Sequence, residues 1–241
     1  MKIVDAYWEK RNMGITATEV VLDAEDDLQH MAEELQSITS EYVVVKLPIC
    51  RVDVSFSLSR LGFTFIETMN HLVHHMNLVP LDKRKQEIYD STQFLPMTDR
   101  DVENMYEYIK KGLYKTDRIY LDPYFTPRQS ANRYVGWISD EIKRGSEMFK
   151  LVYNGDNYGY VGFKKLIENV YQEFIYGIYP EFQGQGLAFN MTYKLVDLLK
   201  ERHIMSIHID ISSNNMASLQ SKLRNGYILN SFTYVYVKHN V

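Results

Sequence analysis

The chain has 241 residues, of which 45% are hydrophobic, with a formal net charge of −4 and a calculated pI of about 6.0. This composition predicts a globular protein with a real core, and it gives no basic footprint for nucleic acid. The single cysteine, Cys50, excludes an internal disulfide and is typical of a reducing compartment. The sequence contains neither a hydrophobic signal region at its start nor an apolar run of about 20 residues. We therefore expect a cytoplasmic protein with no membrane and no nucleic-acid partner.

The first half of the chain, residues 1–78, alternates between strand and helix patterns. Apolar residues have helical spacing over residues 24–37, and a second helix over 52–61 ends before Gly62. The predicted strands are residues 19–22, the β-branched segment 42–47 and the segment 63–73. Together these predict a small α/β unit.

Residues 79–93 are charged and have no clear periodicity, so we expect a linker over residues 79–96, or an extended edge that crosses between the two halves. The second half, residues 97–241, begins at Thr98, a candidate N-cap with an acid at the third helical position. Between its first two helices, residues 120–128 form a predicted aromatic loop. The predicted helices are 98–113, 130–144, 186–203 and 217–225, and the predicted strands are 148–153, 158–164, 170–179, 206–211 and 228–238. Hairpin strands followed by crossovers predict an α+β fold.

Two segments of the chain share one pattern. Residues 45–62 and 209–226 both have a strand, a helix, and a glycine followed by an aromatic residue and a further strand, with Arg60 and Arg224 at matching positions. Chance agreement between two common strand–helix–strand units is one interpretation. The other is a duplicated architecture whose first copy has lost its ligand site.

The segment from Tyr179 to Ala188 has the features of a phosphate-binding turn. Pro180 ends a strand, and Gly184 and Gly186 lead into a helix. A helix N-terminus presents free N–H groups, and glycines let the backbone approach a bulky anion. A P-loop is excluded because no Gly-Lys-Ser/Thr is present, and a dinucleotide fold needs a third glycine and an earlier strand. A turn that only caps the helix is the simple alternative.

Gln183-x-x-Gly186-x-Ala188 resembles the acetyl-CoA signature of the GNAT superfamily of acetyltransferases. Downstream, Asn215-Met216-Ala217-Ser218 and Gly226-Tyr227 resemble the second motif of that family, and the resemblance covers about residues 98–238. It implies a GNAT fold, a mixed central sheet flanked by helices, with acetyl-CoA as co-substrate. It also implies that the first half resembles a degenerate GNAT half.

More loosely, the whole chain is similar to the dTDP-fucosamine acetyltransferases. The shared patterns are the turn Leu61-Gly62-Phe63 and a loop rich in proline and aromatic residues, here Asp122-Pro123-Tyr124-Phe125. This resemblance implies an amino sugar, nucleotide-linked or free, as the acceptor of the acetyl group.

The family resemblance also implies which residues bind the cofactor. Backbone groups of the strand 170–179 would supply the oxyanion donor and pair with the pantetheine arm. Gly177 would lie at a bulge that separates this strand from the next, or would serve only packing. Asn215 would hold the pantetheine arm, cap the following helix, or do both. The expected cofactor-binding residues are Tyr176, Gly177, Ile178, Gln183, Gly184, Gln185, Gly186, Leu187, Ala188, Asn215 and Ser218.

Two residues are candidates for proton transfer. Glu173 is the candidate general base, directly or through water, with a solvated or salt-bridged carboxylate as the alternative. Many family members have a tyrosine four residues before the glycine of the second motif, where this chain has Lys222. Lys222 would protonate the departing thiolate in its place, or be a surface charge.

Acceptor binding is expected at the loop of residues 122–128. Tyr124 and Phe125 would stack on a base or sugar, and Arg128 would pair with a diphosphate, unless the two rings pack into the core. The histidines lack the spacing of metal ligands, so no metal is expected.

The sequence therefore predicts an N-acetyltransferase that moves an acetyl group from acetyl-CoA to a primary amine of a small molecule in a ternary complex. The alternatives are acetylation of protein or peptide amines and a CoA-binding GNAT-fold module with little turnover. A homodimer is left open.

Overall fold

The computed structural model describes residues 1–240, and its ten strands form one mixed sheet flanked by helices. The strand order is β1-β2-β3-β10-β4-β9-β8-β7-β6-β5. The strands are β1 Lys2–Asp5, β2 Ala17–Val21, β3 Tyr42–Pro48, β4 Thr64–His74, β5 Thr92–Pro96, β6 Glu147–Tyr153, β7 Asp156–Ile167, β8 Val170–Ile178, β9 Ser206–Ser212 and β10 Ile228–His239. The helices are α1 Tyr7–Met13, α2 Leu28–Ser37, α3 Val52–Arg60, α4 Lys83–Ser91, α5 Asp99–Lys110, α6 Arg118–Leu121, α7 Pro127–Lys143, α8 Phe189–Glu201 and α9 Met216–Arg224. This architecture confirms the predicted α+β fold, a mixed central sheet flanked by helices.

The last strand joins the two halves of the chain. β10 pairs antiparallel with both β3 and β4, and β4 pairs in turn with β9. The buried side chains of Val235 and Val237 on β10 pack with Tyr42 and Val44 on β3 in one core cluster. The N-terminal and C-terminal halves therefore share one sheet and part of one core.

Three segments differ from the sequence-based expectation. β1 and α1 were not predicted, because elements of four and seven residues are too short to show periodicity. Residues 79–96 contain α4 and β5 instead of an irregular linker. α4 buries none of its residues, so its sequence has no apolar stripe to recognise.

The predicted aromatic loop is also partly helical. α6 is capped by the side chain of Asp117, and α7 begins at Pro127 with a capping box between Thr126 and Gln129. This geometry leaves only residues 122–126 as a connection between the two helices. No helix among residues 1–240 is long and apolar enough to cross a membrane.

Candidate functional site

A cavity of about 980 Å³ lies where β8 and β9 separate. The two strands pair in parallel only from Val170 to Gln172, and residues 173–178 continue along β7 without a β9 partner. These residues line the cavity. A strand edge without a neighbouring strand can pair with an extended ligand arm. The carbonyls of Tyr176 and Ile178 already accept hydrogen bonds from the Tyr114 hydroxyl and the Gln183 side chain, at 2.8 and 3.1 Å.

Gly177 is not at the bulge that the sequence suggested. The register shift between β7 and β8 lies at Phe174 of β8, which has no partner on β7. β8 separates from β9 directly after Gln172. A Cβ on Gly177 would lie 3.0 Å from the hydroxyl of Tyr160 and 3.1 Å from that of Tyr114. Gly177 therefore lets two tyrosines pack against the strand, which is the packing alternative.

The predicted phosphate-binding turn leads from β8 to α8. Gly184 and Gly186 both have φ of +78°, and an added Cβ on either would meet no atom within 4 Å. The side chains of Gln183 and Gln185 donate hydrogen bonds to backbone carbonyls of the same segment, at 3.1 and 2.9 Å. The turn is therefore fixed by its own side chains and has open space above its glycines, an arrangement that fits a bound diphosphate.

The turn residues differ in their exposure to the cavity. Gln183, Gly184 and Ala188 line it, whereas Leu187 is 3% exposed and packs in the core. Gln185 and Gly186 are exposed outside the lining. α8 begins at Phe189, later than predicted, and Ala188 at its N-cap position offers no side-chain cap. The N–H groups of Asn190 and Met191 donate instead to the carbonyls of Leu187 and Ala188, at 3.2 and 3.3 Å.

The start of α9 lies on the opposite side of the cavity. The side chain of Asn215 accepts a hydrogen bond from the N–H of Ser218 at 3.2 Å, which makes Asn215 the N-cap. Both residues line the cavity. The capping role is compatible with a contact to a ligand, because the carboxamide nitrogen of Asn215 takes no part in the cap.

Glu173 and Lys222 are brought together as a buried ion pair. Lys222 Nζ lies 2.6 Å from each carboxylate oxygen of Glu173, and the two side chains are 2% and 0% exposed. The hydroxyl of Tyr227 donates a further hydrogen bond to Glu173 at 2.8 Å. Burial lowers the pKa of Lys222, while the neighbouring carboxylate opposes that shift. The geometry thus excludes Lys222 as a surface charge and gives Glu173 the salt-bridged arrangement.

The predicted acceptor residues do not line the cavity. Tyr124 is 63% exposed and stacks on His239 with 3.9 Å between ring centroids. Phe125 packs edge-on against Tyr42, and Arg128 is exposed. Residues 122–128 therefore lie away from the cavity, because this connection turns toward β3 and β10. The preceding segment, residues 112–118, lines the cavity instead.

Sequence reasoning missed the contribution of the N-terminal half to the cavity. One possible signal was Glu67, a carboxylate in the middle of a strand, which is 1% exposed in the structure. The other residues lie on short elements without periodicity or on faces that only the tertiary fold defines. The cavity-lining residues of this half are Trp8, Glu9, Asn12, Glu19, Glu67 and Met69.

The cavity wall is acidic. Its lining contains eight aspartates and glutamates against four lysines and arginines. Burial alone would raise the pKa of Glu19, but the charges of Lys46 and Arg118 outweigh it and hold that pKa below the ordinary value. Six of the eight carboxylates are paired with lysine or arginine side chains, and within residues 1–240 only Asp117 and Asp210 lack such a partner. These two can attract a cationic ligand such as a protonated amine. Residues 1–240 contain no group of three or more His, Cys, Asp or Glu side chains that could hold a metal ion.

A family model described as an acetyltransferase (GNAT) domain matches residues 93–228. No curated protein matches the chain in sequence. Among solved structures, a GCN5-related N-acetyltransferase from Sphaerobacter thermophilus matches with a TM-score of 0.66 and 10% identity over 99% of this chain and 75% of its own. One from Kribbella flavida matches with a TM-score of 0.59 and 12% identity over 92% and 81% of the two chains.

A third structure is a GCN5-related glucosamine N-acetyltransferase region of a fungal multi-domain GH3 beta-N-acetylglucosaminidase. Its TM-score is 0.66 at 11% identity, over 92% of this chain and 30% of that one. At these identities the solved structures establish a shared fold.

Proposed function

This chain belongs to the GNAT acetyltransferase family and is an acyltransferase. We propose that it transfers the acetyl group of acetyl-CoA to the primary amine of a free amino sugar, one that is not linked to a nucleotide. The observation that supports this most strongly is that one cavity includes both the turn at Gly184 and the wall contributed by the N-terminal half. One cavity that includes both regions can hold both substrates at once, as direct transfer requires.

The turn at residues 183–188 would hold the CoA pyrophosphate through backbone N–H groups, and acetyl-CoA supplies the activated acetyl group. The unpaired edge of β8 would align the pantetheine arm and donate to the oxyanion. In the balanced reaction the C–S bond breaks, an N–C bond forms, and the ammonium loses two protons, one of them to the thiolate and one to solvent. Asp117 and Asp210, the lining carboxylates without a lysine or arginine partner among residues 1–240, would bind the ammonium before it is deprotonated.

Glu173 is proposed as a positioning residue. Its carboxylate is already engaged by Lys222 and Tyr227, so acting as base would require the buried ion pair to break. The pair joins β8 to α9, whose first turn contains Asn215 and Ser218. It therefore holds the two sides of the cofactor site at a fixed separation.

A free amino sugar fits the cavity better than a nucleotide-linked one. The arginine expected to pair with a diphosphate, Arg128, lies outside the cavity, and the lining has an excess of acids. Trp8 and Trp137 provide partly exposed aromatic surface for a sugar ring. Protein amines remain an alternative, but the acceptor wall includes side chains from both halves that enclose a small ligand.

The cofactor assignment is tested by Gly186→Asp, with Gly155→Asp as the matched control. Both glycines have positive φ, +78° and +88°, and both have free space for a Cβ, but only Gly186 lies beside the cavity. The backbone strain is therefore alike, whereas only Gly186→Asp puts a negative charge where phosphates would bind.

We expect the Kd of acetyl-CoA, measured by titration calorimetry, to rise at least tenfold, about 1.4 kcal/mol, in Gly186→Asp and to stay unchanged in Gly155→Asp. Equal affinities in two folded variants would contradict the assignment. A thiol-release assay with amines distinguishes an enzyme from a binding module. A module would bind acetyl-CoA and lose affinity in Gly186→Asp, but it would release no thiol.

A further inference from the structure

The cavity wall formed by the N-terminal half together with α6 contains hydrogen-bonding groups that the chain leaves unused. Within residues 1–240, Glu9 Oε2, Asn12 Nδ2 and Arg118 Nε are buried without a hydrogen-bond partner. The three residues line the cavity and are 5%, 8% and 9% exposed. An unpaired buried polar group costs about 1–3 kcal/mol, so three on one wall indicate that a ligand completes them.

The other atoms of these side chains are held in place. Arg133 Nε donates to Glu9 Oε1 at 2.7 Å, and Arg11 Nε donates to Asn12 Oδ1 at 3.0 Å. A Cβ on Gly136 would lie 2.2 Å from Asn12 Oδ1, so α1 and α7 approach closely at this point. Glu9 therefore offers one acceptor and Asn12 one donor from fixed positions.

The charges around these groups are already balanced. Arg118 lies 3.6 Å from Glu67, Arg133 is paired with Glu9, and Glu19 is paired with Lys46. No arginine of this wall has a positive charge left for a phosphate or carboxylate. Neutral groups that both donate and accept, such as sugar hydroxyls, match one open acceptor and two open donors.

We propose that Glu9, Asn12 and Arg118 form a subsite that recognises the uncharged hydroxyl groups of the acceptor sugar and discriminates against phosphorylated and nucleotide-linked forms. The inference rests on the proposed function, since the same cavity would hold the amine. It assigns the N-terminal half a role in choosing the acceptor.

Two substitutions isolate the open donors. Arg118→Lys keeps a cation opposite Glu67 but removes the Nε–H group. Asn12→Asp keeps the size that Gly136 requires and the oxygen that Arg11 contacts, but replaces the Nδ2 donor with an acceptor. The controls are Arg224→Lys and Asn104→Asp, the same changes at exposed helical positions outside the cavity lining.

Steady-state kinetics with glucosamine, glucosamine 6-phosphate and n-butylamine test the proposal. In the parent, kcat/KM for glucosamine should exceed that for each of the others at least tenfold. In Arg118→Lys and Asn12→Asp, the ratio of kcat/KM for glucosamine over n-butylamine should fall at least tenfold, mainly through the KM of glucosamine. The controls should keep the parent ratio. Equal use of glucosamine 6-phosphate, or an unchanged ratio in both variants, would overturn the proposal.

Binding separates this inference from the proposed function. Glucosamine is titrated calorimetrically into the protein in the presence of CoA. If the parent binds glucosamine and both variants do not, the subsite is supported. If in addition no amine is acetylated, the subsite still stands and the proposed reaction is wrong. Acetylation of n-butylamine without any binding or use of glucosamine would instead leave an acetyltransferase and refute the subsite.

Discussion

The buried carboxylate of Glu173 has one counter-ion, the ammonium group of Lys222. Replacing Glu173 by Gln leaves the Lys222 ammonium buried without a counter-ion. We expect Glu173→Gln to lower the free energy of unfolding by about 3–5 kcal/mol, measured by urea denaturation. A loss below about 1 kcal/mol would show that Lys222 finds another partner or solvent.

The double variant Glu173→Leu, Lys222→Met separates stability from catalysis. It removes both charges, so it should be more stable than Glu173→Gln, although the Tyr227 hydroxyl loses its acceptor. If the pair only positions β8 and α9, turnover per folded molecule should stay within about tenfold of the parent. A loss of about 10² or more in a fully folded double variant would restore a role of the pair in proton transfer, with Glu173 as base or Lys222 as acid.

His74 is a second buried titratable residue, with no solvent exposure. Burial is the main cause that lowers its pKa from 6.5 to about 4, with a further contribution from the charge of Lys222. Its ring accepts a hydrogen bond from the N–H of Met76 at 3.0 Å, which requires a neutral ring at Nδ1. Between pH 4 and pH 6.5, His74 is therefore mostly neutral in the folded protein and mostly protonated in the unfolded chain.

Stability should accordingly fall as the pH drops from about 6.5 toward 4, by on the order of 2 kcal/mol from this residue. His74→Asn keeps an acceptor for Met76 but does not titrate, so its unfolding free energy should depend less on pH over that window. The comparison is made by urea denaturation of both proteins in steps from pH 7 to 5. Parallel curves for the two proteins would contradict the prediction.

At the scale of elements, the parts of the site formed by consecutive residues were predictable. The turn at residues 183–188 and the cap at Asn215 depend on glycine freedom and on a side chain that reaches three residues ahead, and both are visible in the sequence. The part of the cavity wall around Glu67 was not predictable, because Glu9, Glu67 and Arg118 meet only after three separate elements pack together. Their positions depend on the sheet order, which no local pattern specifies.

The start of α9 provides a test of an element with two roles. Asn215→Ala and Thr126→Ala each remove an N-cap side chain, from α9 and α7, and each should cost about 1 kcal/mol of stability. Only Asn215 lines the cavity, so only its replacement should also raise the Kd of acetyl-CoA, by severalfold. Thermal unfolding and titration calorimetry of both variants measure the two effects. An equal change of affinity in both would assign the loss to the fold rather than to the site.

At the scale of the whole molecule, the sheet has a pseudo-twofold order. β2, β3 and β4 with their helices correspond to β8, β9 and β10, since both sets begin with a parallel pair. If each strand in the order β3-β10-β4-β9 is replaced by its counterpart, β3 by β9 and β4 by β10 and the reverse, the result is the same order read from the other side. This arrangement favours the duplicated architecture over chance agreement of two sequence segments.

The first copy lacks the features that a CoA site needs. Residues 22–27, which correspond to the glycine turn, contain Asp23, Glu25, Asp26 and Asp27, and Asp27 caps α2 with its own side chain. Carboxylates at this position would repel a pyrophosphate. β2 and β3 also stay paired along five residues instead of separating. The N-terminal copy therefore retains the fold without an opening of its own, and contributes residues to the cavity wall instead.

The exchange of strands between the two copies predicts that neither folds alone. In a fragment of residues 79–241, β10 would lose both of its neighbours and β9 would lose β4, which exposes Val235 and Val237. Two open edges and an uncovered core face are a known hazard for aggregation. We expect the full chain to unfold in one cooperative transition by calorimetry, and the fragment to lack a native circular dichroism spectrum and to bind no acetyl-CoA. Residues 1–78 and 79–241 produced together should reassemble and bind it, because the strands that each copy exchanges are then present. Two separate calorimetric transitions in the full chain, or a fragment that folds and binds acetyl-CoA by itself, would show instead that the shared sheet is not required for either half.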